Sequence, residues 1–232
     1  MIDDATFLSI VRGKNPADDL PPAARQFAVD TSDMRQNLPL LYAVAAGMGA
    51  RRILEIGTSD GTSLLAFLKA AQETDGHVVS VDYQDVPFAQ ALVDRYEVRS
   101  RWTFMKGDSH EILPRLVAQG ERFDVILVDG DHSETGARQD IADVEKMLIP
   151  GGVLFTHDNL MMASDHDWSR PMGERGRPGC GLIGREMLSP GSAWAGCFFP
   201  FGCNLGIWRR RADVMRDSDQ VLNEARKQGL LP

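Results

Sequence analysis

The chain has 232 residues, 43% of them hydrophobic and 25% charged; that suits one α/β domain with a sizeable core and is too short for two full domains with a linker. A net charge of −8 argues against a protein whose main work is neutralising nucleic-acid phosphates, and no apolar run reaches membrane-spanning length. The acidic start, Met1-Ile2-Asp3-Asp4-Ala5, has no basic stretch before an apolar block, so no secretory signal is read and a cytoplasmic enzyme is expected.

Residues 1–50 read as a helical lead-in broken by Pro16, Pro21-Pro22 and Pro39, with Leu38, Leu40, Leu41, Val44 and Ala45 giving an apolar helix face. A regular alternation then sets in. Strands are expected at 52–56, 77–82, 102–106, 123–129 and 152–156, and helices at 62–73, 87–97, 109–118 and 134–147. Strands joined by helices of this length run parallel through right-handed crossovers, so the five make a doubly wound sheet. After Asp158 the rhythm breaks. The loop at 160–181 carries Met161, Met162, Trp168, Arg170, Arg175 and Arg177, and reads either as a cover for an acceptor, with a hint of anionic groups, or as a surface connection.

A short helix near 182–188 follows. Two apolar runs, Ala195 to Phe199 and Asn204 to Trp208, then suit an antiparallel pair that closes the C-terminal sheet edge, making seven strands in a single domain over 1–232. The tail at 212–232 holds Val214, Val221, Leu222 and Ala225 at roughly helical spacing; it suits docking on the domain or on a second copy, which leaves a homodimer open. Arg209-Arg210-Arg211 reads as a solvated strand end. Cys180, Cys197 and Cys203 form no C-x-x-C pair, which disfavours a disulfide framework or structural zinc and leaves buried thiols as the expectation.

Chemistry is expected at the carboxyl ends of the strands, where open α/β sheets bind ligands. The first strand runs through Glu55 into Gly57-Thr58-Ser59-Asp60-Gly61-Thr62-Ser63. Gly57 permits a sharp turn, Gly61 a close backbone approach to ligand, and the following helix offers free amides. The dinucleotide fingerprint fails because Ser59 replaces the second glycine, and the phosphate loop fails because no lysine follows Gly61, so a nucleoside without a pyrophosphate fits better. Asp82, ending the second strand, is placed to accept both hydroxyls of a ribose. Asp108 and Ser109, after the third, are placed to meet an adenine edge, although strand-end acids are also ordinary helix caps. Glu55 is expected to support the turn by bonding loop amides.

The fourth strand ends in Asp129-Gly130-Asp131-His132 and the fifth in His157-Asp158-Asn159. If these strands are neighbours, Asp129 and Asp158 emerge about 5 Å apart. Two carboxylates that close share a proton or a cation; with the amide oxygen of Asn159 the set is hard and oxygen-rich, which suits Mg²⁺, with Mn²⁺ or Ca²⁺ also fitting. His132 and His157 leave a softer metal open, and His132 among the acids is the candidate general base.

These motifs together, from Glu55 to Ser63, Val81-Asp82, Gly107-Asp108-Ser109 and Val128-Asp129, resemble class I S-adenosylmethionine-dependent methyltransferases over about residues 35 to 208. Asp129 with Asp158-Asn159 resembles the cation-dependent O-methyltransferases of the catechol and caffeoyl-CoA type, and Val128 to Ser133 is similar to bacterial small-molecule and sugar O-methyltransferases. The resemblance implies a Rossmann-like fold and methyl transfer to a hydroxyl of a small molecule. It implies that Glu55, Gly57, Ser59, Gly61 and Ser63 surround the methionine part of S-adenosylmethionine, that Asp82 holds the ribose and that Asp108 and Ser109 face adenine. Asp129, Asp158 and Asn159 would bind the divalent cation. Where catechol-type enzymes carry a lysine after the first metal-binding aspartate, this chain has His132. A metal-assisted hydrolase, an NAD-linked oxidoreductase and a non-catalytic adenosyl-binding protein stay open as other classes.

Overall fold

The computed structural model describes residues 1–22, 32–158, 180–199 and 205–228. The lead-in comprises helix α1 (Asp4–Val11), capped by the Asp3 carboxylate, a 3₁₀ turn (Pro16–Asp19) and helix α2 (Ser32–Gly47). Strands β1 (Arg52–Ile56), β2 (His77–Asp82), β3 (Trp102–Lys106), β4 (Phe123–Val128) and β5 (Leu148–Thr156) alternate with helices α3 (Thr62–Thr74), α4 (Pro87–Arg95), α5 (Ser109–Ala118) and α6 (Glu134–Met147). Helix α7 (Cys180–Leu188), strands β6 (Trp194–Phe199) and β7 (Leu205–Arg210) and helix α8 (Arg211–Lys227) complete the described chain.

The sheet order is β3-β2-β1-β4-β5-β7-β6. Strands β1 to β5 are parallel, and β7 runs antiparallel to both β5 and β6. This is the doubly wound, mostly parallel seven-stranded sheet expected, and the chain reverses its winding direction between β1 and β4, the kind of switch point at which open α/β sheets bind ligands. Alternate residues of each strand feed two cores. Ile53, Val78, Val125 and Phe155 pack with α1 to α4 on one face; Leu54, Val81, Ile126 and Leu154 pack with α5 to α7 on the other. Burial on both faces explains the unbroken apolar runs that made these strands legible.

Several boundaries differ. Proline 39 was expected to break the lead-in, yet Pro39 lies inside α2. Its ring sits on the exposed side while Leu38, Leu41 and Ala45 are fully buried on the other, so burial of the stripe offsets a proline cost of about 3 kcal/mol. Strand β5 begins at Leu148 rather than at 152, with a register shift between Phe123 and Val125 of β4. Cys197 is exposed on edge strand β6, not buried, because its side chain points off the last strand of the sheet. The arginine run is not merely solvated: Arg209 pairs with Asp217 at 2.6 Å, Arg210 donates to the Leu148 carbonyl, and Arg211 donates to Ser192 and Trp194 carbonyls. These bonds tie β7 and α8 to the domain. The tail helix keeps Met215, Val221 and Leu222 exposed.

Gly57 sits where the β1 turn and the β4 loop approach closely. Its φ is +86°, and a Cβ there would lie 1.9 Å from the Asp129 carbonyl oxygen. Gly57→Ala should therefore cost at least about 2 kcal/mol, from the left-handed backbone and the displaced β4 loop together, and urea denaturation of the variant beside the parent chain measures it.

Candidate active site

One row of backbone hydrogen bonds sets the geometry. Gly57 N–H donates to the Val81 carbonyl, Asp129 N–H to Ile56, His157 N–H to Val128 and Gly107 N–H to Asp82, at 2.9 to 3.1 Å. The ladder thus continues one residue past each strand, and the four loops that carry the expected site residues leave the sheet from one line. The glycine turn, Asp82, Asp108, Asp129 and His157 are brought together as the sequence implied.

At the β2 end, Asp82 is the hub. Its Oδ2 accepts from Thr58 N–H at 2.9 Å and Ser59 N–H at 2.8 Å, and its Oδ1 accepts from Gln84 N–H at 2.8 Å. A carboxylate has about four acceptor positions, so one stays available beyond these. Ser59 sits at φ +49°, a conformation the carboxylate helps to hold. Glu55 does not bond the loop amides, as had been expected; Asp82 does. Glu55 lies on the α3 face of β1, fully buried, and accepts from Ser63 Oγ at 2.6 Å and Ser80 Oγ at 2.7 Å. Trp102 Nε1 donates in turn to Ser80. Gly61 is left-handed, with Ala89 of α4 occupying the space a Cβ would need, 2.7 Å away; the close approach there is of protein against protein. Asp108 caps α5 by accepting from His110 N–H at 2.9 Å and stays half exposed beside Ser109. Tyr83, directly after Asp82, is 75% exposed.

On the other side, His132 stands between two carboxylates. Its Nε2 lies 3.2 Å from Asp129 Oδ1 and its Nδ1 3.1 Å from Asp158 Oδ2. Buried His157 brings Nδ1 to 3.3 Å from Asp129 Oδ1 and 3.6 Å from Asp158 Oδ1. The expected approach of the two acids is met: one donor atom each from Asp129, His132 and Asp158 lie within 4.8 Å of one another. Asp158 adopts φ +57°, a left-handed conformation that costs a non-glycine residue about 1 kcal/mol or more and recurs at functional sites. Asn159 and the 160–179 part of the expected cover lie outside the described residues. Asp131 is not part of this group: its carboxyl turns to the start of α6, where it leaves no room for a Cβ on Gly136.

Burial pushes the Asp129 carboxyl up, but His157 and His132 outweigh it and hold the group well below the ordinary carboxylate range. Burial works against charge on His132, yet the bond to Asp129 and the charges of Asp129 and Asp158 prevail and raise its pKa. The cluster therefore behaves as paired acids neutralised by imidazole, an arrangement suited to taking up either a proton or a cation.

Residues 54–159 match the family model of a Methyltransferase domain. An O-methyltransferase of Aspergillus hancockii is 30% identical over 120 residues, which is 51% of this chain and 46% of that protein. The chain thus spans about half the length of that relative. The catechol O-methyltransferase of Mycobacterium tuberculosis is 28% identical over 189 residues, covering 74% of this chain and 83% of that protein. The O-methyltransferase TomG of Streptomyces achromogenes, involved in tomaymycin synthesis and solved in complex with S-adenosylmethionine, shares the fold with a TM-score of 0.64 at 22% identity over 89% of this chain and 95% of that one. With the sheet order, these matches show that the chain has the fold of the O-methyltransferases it is similar to, and that residues 54–159 are similar to a methyltransferase domain. Among the described residues no helix is long and apolar enough to cross a membrane.

Burial pushes Glu55 up to about 7, against the Ser63, Ser80 and Thr58 hydroxyls that lower it. Since this exceeds its ordinary value of 4.5, the fold favours the protonated form. The associated stability is intact below pH 4.5 and is lost as pH rises through about 7. Glu55→Gln should gain on the parent chain over that window, by up to about 3 kcal/mol, as read from urea unfolding at pH 5 and pH 8.

Proposed function

We propose that this chain transfers the methyl group of S-adenosylmethionine to a hydroxyl of a small molecule, with a divalent cation held by Asp129 and Asp158. The observation that carries the reading is the bridging of those two carboxylates by His132 at 3.2 and 3.1 Å, beside a glycine turn built for a nucleoside. The O-methyltransferase names of the curated relatives, a catechol enzyme among them, support it. The donors fit a cation: the Asp129 and Asp158 carboxylates converge within 4.8 Å with His132 beside them, and the acids favour a hard ion such as Mg²⁺. Asn159 would complete the oxygen set.

When bound, S-adenosylmethionine supplies a methyl group on a positively charged sulfur, and the cation supplies a Lewis acid for the acceptor oxygen. The chain's own residues supply orientation and proton transfer. Asp82, already fixed by three amides, presents a remaining acceptor position to the ribose, and Ser59 and Gly57 shape the turn over the methionine part. Tyr83 offers an exposed ring for the base plane. Glu55 and Ser63 act from beneath: both are buried and bonded to each other, so they hold the turn to β2 and α3. With Asp129 and Asp158 engaged by the cation, His132 would lose the two contacts that favour its protonated form, and its freed ring nitrogen would be the proton acceptor for the acceptor hydroxyl.

Asp158→Ala should abolish cation-dependent turnover while calorimetric binding of S-adenosylhomocysteine persists; full turnover of the parent chain in excess chelator would refute the cation's role. His132→Gln should lower kcat by about 10²-fold or more, as expected for loss of a general base, with S-adenosylhomocysteine affinity nearly unchanged.

A further inference from the structure

His157 is buried beside both carboxylates of the cluster, and the proposed reaction gives it no part. Its backbone amide is fixed by the Val128 carbonyl at the end of β4, and the residue is only 5% exposed. An imidazole held this firmly against two acids calls for a reason.

The two histidines of the cluster meet the acids in different ways. His132 shows a different ring nitrogen to each carboxylate, Nε2 to Asp129 and Nδ1 to Asp158. His157 turns the same atom to both: Nδ1 lies 3.3 Å from Asp129 Oδ1 and 3.6 Å from Asp158 Oδ1. The difference matters because an imidazole binds an ion through the lone pair of one nitrogen. A ring that spans two acids through both nitrogens is placed as a bridge; a ring with one nitrogen where both acids converge is placed as a third ligand beside them.

The spacings agree with this. Charge-assisted N–H···O bonds run about 2.7 to 2.9 Å, and the ion pairs of Lys69 with Asp4 and of Arg138 with Glu186 close to 2.7 and 2.6 Å. His157 stands off from both acids. Ligand atoms each about 2.1 Å from one ion lie roughly 3.0 Å apart in an octahedron and 3.4 Å apart in a tetrahedron. The two His157 contacts lie close to those separations and well outside the range of a charge-assisted bond.

We infer that His157 Nδ1 is a third protein ligand of the cation, beside Asp129 and Asp158, and that it shifts the preference of the centre from Mg²⁺ towards an imidazole-binding transition ion such as Co²⁺, Fe²⁺ or Zn²⁺. The inference rests on the cation reading of the cluster and narrows it. The two acids alone suit Mg²⁺, which takes oxygen ligands and keeps much of its water; a ring nitrogen adds affinity for the later divalent ions and little for Mg²⁺.

Pulsed electron paramagnetic resonance of the full chain loaded with Mn²⁺ tests the ligand, because a directly bound imidazole imprints nitrogen modulation on the echo. The parent chain should show that modulation. His157→Asn, whose amide oxygen can take the place of Nδ1, should lose it, and His132→Gln should keep it. Calorimetric titration tests the preference: His157→Asn should weaken Co²⁺ binding by about tenfold or more and leave Mg²⁺ binding nearly unchanged. Bound Mn²⁺ without nitrogen modulation in the parent chain overturns the inference and leaves the cation reading standing. Modulation that survives in His157→Asn overturns it as well, as does an equal loss of Co²⁺ and Mg²⁺ affinity in that variant. If His157→Asn does not fold, His132→Gln decides: modulation kept there upholds the inference and modulation lost there overturns it. A parent chain that binds none of these ions removes the cation reading itself, and this inference with it.

Discussion

The site depends on one structural constraint, the continuation of the parallel hydrogen-bond ladder one residue beyond the strands. Gly57, Asp129, His157 and Gly107 each donate a backbone N–H to the last carbonyls of a neighbouring strand. Side-chain chemistry then starts from a fixed line: Asp129 and His157 carry pinned amides themselves, Asp108 and Asp158 lie one position past one, and Asp82 supplies the carbonyl that holds Gly107. The ladder also requires a glycine, since the β1 turn and the β4 loop approach until a Cβ on Gly57 would overlap the Asp129 carbonyl. Parallel strands alone do not dictate this; the close approach of the two loops does.

From that line the β4 loop sends its polar groups in opposite directions. Asp129 and His132 turn to the end of β5, where His157 and Asp158 complete a cluster of balanced charge. Asp131 turns back to α6, where Ser133 caps the helix and Gly136 makes room for the carboxyl. The two sides therefore do different work within four residues of sequence. One side is suited to proton transfer and a cation; the other forms the wall behind α5, where Asp108, His110 and Asp140 meet. Separation matters electrostatically, because in a poorly solvated interior a third carboxylate beside Asp129 and Asp158 would oppose ionisation of both.

Much of this was legible in the residues, and the misses have a common cause. The five parallel strands could be read because burial on both faces leaves near-continuous apolar runs, and the pairing of Asp129 with Asp158 followed once β4 and β5 were taken as neighbours. The roles of Glu55 and Asp82 came out exchanged in one respect, since Asp82 holds the loop amides and Glu55 holds two serine hydroxyls. Face alternation along β1 decides this: Glu55 points with Ile53 toward α3, where the hydroxyls of Ser63 and Ser80 meet it. Pro39 stays in its helix because its neighbours, not its own propensity, set the balance. Cys197 is exposed because β6 proved to be the sheet edge.

The sequence by itself determined which residues could be strands and helices, and which polar groups stand at strand ends, because hydrophobic periodicity and glycine placement act locally along the chain. Only the tertiary structure decided which of those groups meet. Whether Asp131 joins the Asp129 cluster or leaves it, and whether His110 finds Asp140 from another helix, depends on side-chain direction and on the packing of elements distant in sequence, and neither quantity is written in a run of consecutive residues.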